Sequence, residues 1–282
     1  MRCLLLFMVL IMSACRTVGE DTAATRACQP QSRSIADGDF EVEYAHHSPA
    51  SDTDRAVVIM PPTGGTTFLE SRYASLFCKS GFAVYVVAGW TGMSETSIDL
   101  SIHNRLFGRA QRAIETIAER AEEQFVGLMG TSVGGLHAAT AVGRLERISA
   151  AFVIAAGAPV VDVIVSSDQD ALKSLRKRRM QVFGFEDRKA YRHALAAEFH
   201  WEPLAFADAA REKPLGMVVV RGDTTVPTTQ QAYLREIWRP DVAFSVSGFL
   251  LGAHVVGILQ AWWRHADDIL EFFLREAGRD QG

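Results

Sequence analysis

Excess charge of one sign, cysteine and long apolar runs are all scarce in this sequence. Lys and Arg total 29 against 33 Asp and Glu, giving a net charge of −4 and a pI near 6.1. A nucleic-acid partner would call for a basic surplus, and there is none. Four cysteines in 282 residues are too few for a disulfide scaffold, and none has the C-x-x-C spacing of structural zinc or dithiol redox sites. The longest apolar run, Cys3–Met12, has ten residues, whereas a helix needs about 20 to cross a bilayer. The phosphate-cradling pattern G-x-x-x-x-G-K-[ST] is missing, so a nucleotide role is not indicated. No repeat or low-complexity segment appears. What is present is a composition of 48% apolar and 22% charged residues, suited to one large α/β domain with a sizeable core.

The short run at the N-terminus has a reading of its own. Arg2, the apolar stretch Cys3–Met12 and the small residues Ser13 and Ala14 precede Cys15. A core of this length fits a secretory signal peptide. The segment resembles the lipobox of bacterial lipoproteins, although Met12 stands where that pattern usually has Leu. The resemblance implies removal of residues 1–14, lipidation of Cys15, and a protein exported to the cell envelope and held there by its lipid; a periplasmic or secreted protein is the alternative. Residues 15–36 are polar and lack periodicity, as expected for a tether. Cys28 and Cys78 are then left in an oxidising compartment. Either they pair, or Cys78 packs on a helix while Cys28 stays in the tether.

From residue 37 to 282 short apolar runs alternate with helical patterns. Phe40–Tyr44 alternates apolar and acidic residues, while Ala56–Met60, Phe82–Ala88, Phe125–Met129 and Ala150–Ala155 are continuously apolar, as strands covered on both faces would be. Met217–Arg221 and Val242–Val246 add two more strands. Helical patterns fall at Leu69–Lys79, about Ser97–Glu123, Ala138–Val142 and from Val255 onward, where Trp262, Ala266, Ile269, Leu270 and Phe273 share a face. This alternation predicts a mostly parallel sheet flanked by helices. The interval 160–213 is charged and helical and reads as a cap inserted over one end of the sheet. Within it, Phe183, Phe185, Tyr191 and Trp201 either face a cleft or form the core of the cap. Its basic run Lys173–Arg179 reads as a solvated helix face, or as a patch touching anionic lipid.

The chemistry centres on Gly130-Thr131-Ser132-Val133-Gly134, a G-x-S-x-G set between a buried strand and a small-residue helix. A serine on that strand–turn–helix stands above the end of the sheet beside the first amides of a helix. It needs a base. Of eight histidines, His254 follows the last strand directly, whereas His103, His137, His193, His200 and His265 fall within helical patterns and His46 and His47 precede the core. The latter two make a metal pair only if a third ligand exists, and none is evident. The imidazole in turn needs an acid: Asp223, in a turn after the penultimate strand, with Asp162 in reserve.

The order Ser132, Asp223, His254, each after a separate strand, resembles the α/β-hydrolase superfamily. So do the G-x-S-x-G turn, the Gly-Asp-x-x-Val-Pro turn at Gly222–Pro227, and the Glu202–Pro214 run ahead of the acid strand. The resemblance implies an α/β-hydrolase fold with a helical cap, and a serine hydrolase cleaving a carboxylester through an acyl-enzyme. It implies an oxyanion hole from the amides of Val133 and Thr63, with Gly64 close behind. The loop Pro61-Pro62-Thr63-Gly64-Gly65 departs from the lipase pattern His-Gly-Gly-Gly in its first two positions. Trp90, after another strand, lines the pocket or closes the core. No metal or organic cofactor is called for, and the partners are a small acyl substrate and the membrane. A peptidase, an acyltransferase and a non-catalytic binding protein retaining the fold are the competing readings.

Overall fold

The continuously apolar runs form inner strands of one sheet. In the computed structural model, which describes residues 27–38, 40–88, 97–248 and 252–279, one sheet holds β1 (Gln31–Asp37), β2 (Phe40–His47), β3 (Arg55–Met60), β4 (Ala83–Ala88), β5 (Phe125–Thr131), β6 (Ala150–Ile154), β7 (Leu215–Arg221) and β8 (Val242–Ser247). Their spatial order is β1-β2-β4-β3-β5-β6-β7-β8. β3 to β8 are mutually parallel, whereas β2 pairs antiparallel with both β1 and β4. β5 and β6 are buried along their whole length, which is why their sequences are unbroken apolar runs.

Helices cover both faces. They are α1 (Phe68–Lys79), α2 (Ile102–Arg120), α3 (Val133–Arg144), α4 (Val160–Ser166), α5 (Asp170–Phe183), α6 (Arg188–Glu198), α7 (Ala207–Arg211), α8 (Thr228–Trp238) and α9 (Ala253–Arg279). α1 and α9 close one face over an aromatic core that includes Phe77, Phe125, Phe152, Phe272 and Phe273. Gly127 in β5 makes that contact possible, because a Cβ there would sit 2.7 Å from the Phe273 ring. α2, α3 and α8 close the other face together with the cap. α1 begins with a capping box: Leu69 N–H donates to Thr67 Oγ1 at 3.2 Å, and Thr67 N–H donates to Glu70 Oε2 at 2.9 Å.

The segment expected as tether up to residue 36 is ordered structure from Gln31 onward. Gln31–Asp37 pairs with β2 from Gln31↔His46 to Asp37↔Phe40. Its polar sequence misleads because it is an edge strand with mostly exposed side chains, where polar residues are favoured. Arg112 on α2 donates to its end through Asp37 Oδ2 at 2.5 Å. Cys28 is not loose either: it is disulfide-bonded to Cys78 at the end of α1, and its backbone N–H donates to Ser48 O at 2.8 Å. Cys15 and the apolar run before it lie outside the described residues.

The interval 160–213 is helical, as expected, and lies between β6 and β7. α4, α5 and α6 pack on one another. The following 3-10 turn Pro203–Phe206 and α7 lie instead against α3. Glu202 ties the two parts together, accepting from Val160 N–H at 2.7 Å and Val161 N–H at 2.9 Å. Burial raises its carboxyl pKa, and those two amides oppose the rise.

Candidate active site

The turn after β5 places Ser132 at φ 57° and ψ −123°, a strained conformation for a residue with a Cβ. Two glycines permit it. A Cβ on Gly130 would lie 2.3 Å from Gly134 O, and one on Gly134 would lie 2.1 Å from Met60 O. The turn is held by Ser132 N–H donating to Ile154 O at 2.8 Å and Leu136 N–H to Ser132 O at 3.1 Å. Ser132 thus precedes a helix whose first amides have no intrahelical partner.

Three loops from three strands converge on this hydroxyl. Ser132 Oγ lies 2.8 Å from His254 Nε2, and His254 Nδ1 lies 2.7 Å from Asp223 Oδ2. Asp223 is buried. Its Oδ1 accepts from Thr225 N–H at 2.8 Å and Val226 N–H at 3.2 Å. With donors set around the carboxylate, the His254 proton belongs on Nδ1, and Nε2 meets Ser132 as an acceptor. Gly222 turns the chain into this loop at φ 80°.

A fourth residue, which the sequence reading missed, completes the arrangement. Gln231 on α8 is fully buried. Its Nε2 donates to Asp223 Oδ2 at 2.9 Å and to Val226 O at 2.7 Å, while its Oε1 accepts from Val220 N–H at 2.9 Å. Every polar group of the amide is engaged, so Gln231 fixes the acid against its own strand. The available signal was a lone polar residue on the buried stripe Gln231, Leu234 and Trp238. No catalytic motif contains it.

The loop after β3 forms a turn in which Gly65 N–H donates to Pro62 O at 3.1 Å. Gly64 has φ 99°, the value that favours glycine at the third position of such a turn. Thr63 lines two cavities that meet at Ser132. The smaller, about 40 Å³, is walled by Val133, Leu136, Phe107, Val163 and Ile164. The larger, about 420 Å³, is lined by His254, Val255, Ile258, Leu259 and Phe68.

Other candidates lie apart from this centre. Asp162 is ion-paired with Arg192, whose Nη2 donates to Asp162 Oδ2 at 3.1 Å, so the reserve acid is engaged within the cap. His46 stacks on Tyr85, and burial pushes its pKa down to about 4. His47 Nδ1 lies 2.9 Å from Cys28 O. His265 Nδ1 lies 2.8 Å from Asp268 Oδ2. No group of three metal-ligating side chains occurs among the described residues. Phe185 packs between Phe183 and Tyr191 within the cap, and Trp201 Nε1 donates to Asn104 O at 3.0 Å. None of the four lines either cavity. The basic run is only partly a solvated face: Lys173, Lys177 and Arg178 are exposed, but Arg176 and Arg179 are buried. Trp90 lies outside the described residues.

No family model and no curated protein matches the sequence. Solved structures do match the fold. A Pyrococcus horikoshii acylaminoacyl peptidase superposes with a TM-score of 0.64 at 16% identity, over 88% of this chain and 42% of the peptidase. Puromycin hydrolase superposes at 0.62 and 18% identity, over 94% of this chain and 41% of that one. This chain therefore spans less than half of either protein. A Pyrococcus furiosus esterase superposes at 0.61 and 15% identity, over 93% of this chain and 98% of the esterase. Sheet order, cap placement and these neighbours agree: the chain has the α/β-hydrolase fold.

Proposed function

We propose that the protein is a serine hydrolase that cleaves a carboxylic ester through an acyl-enzyme. One observation carries the reading: a continuous hydrogen-bonded relay from Ser132 Oγ through His254 to buried Asp223, at a strained turn between strand and helix. In the proposed reaction Ser132 Oγ attacks the acyl carbon as His254 Nε2 takes the hydroxyl proton, and Asp223 stabilises the imidazolium. The amides of Val133 and Thr63 hold the developing oxyanion, where loss of one donor costs roughly 3–4 kcal/mol of barrier. Collapse breaks the bond to the leaving oxygen, which receives the proton from His254. Water then attacks the acyl-enzyme with His254 again as base, and the acid product leaves.

The two cavities divide the substrate. His254 must deliver a proton to the leaving oxygen, so the leaving group occupies the larger cleft on the His254 side. The acyl chain enters the small cavity behind Val133. Ester cleavage is the proposed reaction, and one neighbour of this fold is an esterase. Treating the purified protein with a fluorophosphonate and locating the adduct by peptide mass spectrometry tests the reading. Labelling at Ser132 that disappears in His254→Ala is the expected result; folded protein that takes no label sinks it.

The proposed setting is the outside of a bacterial cytoplasmic membrane, with Cys15 as the lipidated first residue. The Cys28–Cys78 bond supports an oxidising compartment. Mass spectrometry of the membrane fraction should find a diacylglyceryl Cys15 terminus, and an intact Met1 would overturn the assignment.

A further inference from the structure

Beneath the small cavity lies a guanidinium with only neutral partners among the described residues. Arg179 of α5 is fully buried. It donates to Ile98 O at 3.1 Å, Asp99 O at 2.5 Å, Tyr191 Oη at 3.0 Å and His103 Nε2 at 3.0 Å. A guanidinium can only donate, so His103 Nε2 is an acceptor and the ring proton sits on Nδ1. His103 is itself buried and lines the cavity shared with Ser132 and Val133. Its Nδ1–H has no partner among the described residues, while the surrounding walls are Phe107, Leu136, Val163 and Ile164. Burial and the Arg179 charge push the imidazolium pKa down to about 3, which keeps the ring neutral and its tautomer fixed.

We propose that His103 is a specificity-determining residue that selects short acyl chains carrying a neutral acceptor oxygen, a hydroxyl or oxo group, for its Nδ1–H. The inference rests on the hydrolase reading and adds the class of acyl group. Size limits the chain: a cavity of about 40 Å³ holds roughly three water-sized groups, at about 10–15 Å³ for each. Charge limits it too. A carboxylate taken into an apolar pocket needs several donors to offset its desolvation, and a single N–H suits a neutral oxygen. A plain alkyl chain fills the same space but leaves the Nδ1–H unpaired, which is the circumstance in which hydrogen-bonding sites discriminate most strongly.

An isosteric pair of esters reads this out. With one common phenyl leaving group, 3-hydroxybutanoate and 3-methylbutanoate differ only by a hydroxyl in place of a methyl. The expected ratio of kcat/KM is at least tenfold in favour of the hydroxyl ester. His103→Gln keeps both an acceptor for Arg179 and an amide donor for the pocket, and should retain a preference. His103→Glu keeps Arg179 paired but offers no donor, and should bring the ratio to one or below, with melting curves reporting that each variant is folded. A ratio near one in the unmodified protein overturns the proposal, as does a preference that survives His103→Glu. Fluorophosphonate labelling separates the two readings. If Ser132 labels but neither ester turns over, the pocket assignment alone falls; if Ser132 does not label, the hydrolase reading falls and this proposal with it.

Discussion

At the scale of single residues the two acidic candidates make opposite predictions. Asp223→Asn removes the acceptor that holds the His254 tautomer, and kcat should fall by about 10⁴. Asp162→Asn breaks only a part-exposed pair with Arg192; such pairs contribute about 0.2–1 kcal/mol to stability, and ester turnover should stay within about twofold. Reversed sensitivities would move the acid to α4. Gln231→Leu deletes a charge-assisted bond to Asp223 and leaves Val220 N–H without its acceptor. Hydrogen bonds to charged groups contribute about 1.5–3 kcal/mol, so kcat should drop roughly 10- to 100-fold. KM should hold, because Gln231 lines neither cavity. An altered KM with unchanged kcat would make Gln231 merely structural. The grouping of Ser132, His254 and Asp223 was legible because each proposed role demands a residue type in a loop after a strand. Gln231 was not, because a glutamine that supports an acid has no required spacing and sits on an ordinary amphipathic helix.

At the scale of elements the turn between β5 and α3 is a tight junction of backbone on backbone. A methyl at Gly134 would meet the carbonyl oxygens of Met60 at 2.1 Å and Pro61 at 2.4 Å, and backbone cannot swing aside as a side chain can. Gly134→Ala should therefore push α3 away from the β3 loop that carries Thr63. Overpacking of this kind costs about 1–3 kcal/mol of stability. The loss in kcat should exceed what that figure implies, because the amides of Val133 and Thr63, proposed to hold the oxyanion, sit on the two elements being separated. Gly135→Ala, whose methyl would lie 3.0 Å from Ala156 Cβ and 3.2 Å from Gly130 O, should be milder in both respects. Equal effects on melting temperature and kcat from the two variants would refute the role given to the junction. The inner strands were readable because burial on both faces forces continuous apolar runs. β1 was not, since its pairing depends on the exposed edge of β2 and leaves no apolar period in Gln31–Asp37. The end of the cap was blurred for a related reason: α6 and α7 have similar compositions, and only packing separates the helices over the cleft from those against α3.

For the whole molecule, the Cys28–Cys78 bond fastens the first described residues to α1, while buried histidines link stability to pH. His103 and His137 are both buried, and burial holds each imidazolium pKa near 3, with the Arg179 charge adding to the effect at His103. In the unfolded chain both return to about 6.5. Above pH 6.5 neither state binds these protons, and the histidines leave stability unchanged. Below it the unfolded chain takes up protons that the folded one refuses, so stability falls with pH at about 1.4 kcal/mol per unit for each histidine. Glu202, whose pKa is raised in the folded state, has the opposite sign, but it is one group against three, because burial also holds His46 down at about 4. Between pH 6.5 and 5 the contribution of His103 and His137 alone is a loss of about 4 kcal/mol, a large part of the 5–15 kcal/mol that holds an ordinary domain folded. Urea denaturation should therefore show a midpoint that is flat from pH 8 to 7 and drops steeply toward pH 5. Because His103→Gln removes one of the three such histidines while keeping a partner for Arg179, it should lower the slope by about a third. A midpoint that does not move between pH 7.5 and 5 would mean that these rings reach solvent, and would deny His103 the neutral, fixed tautomer that the acyl pocket requires.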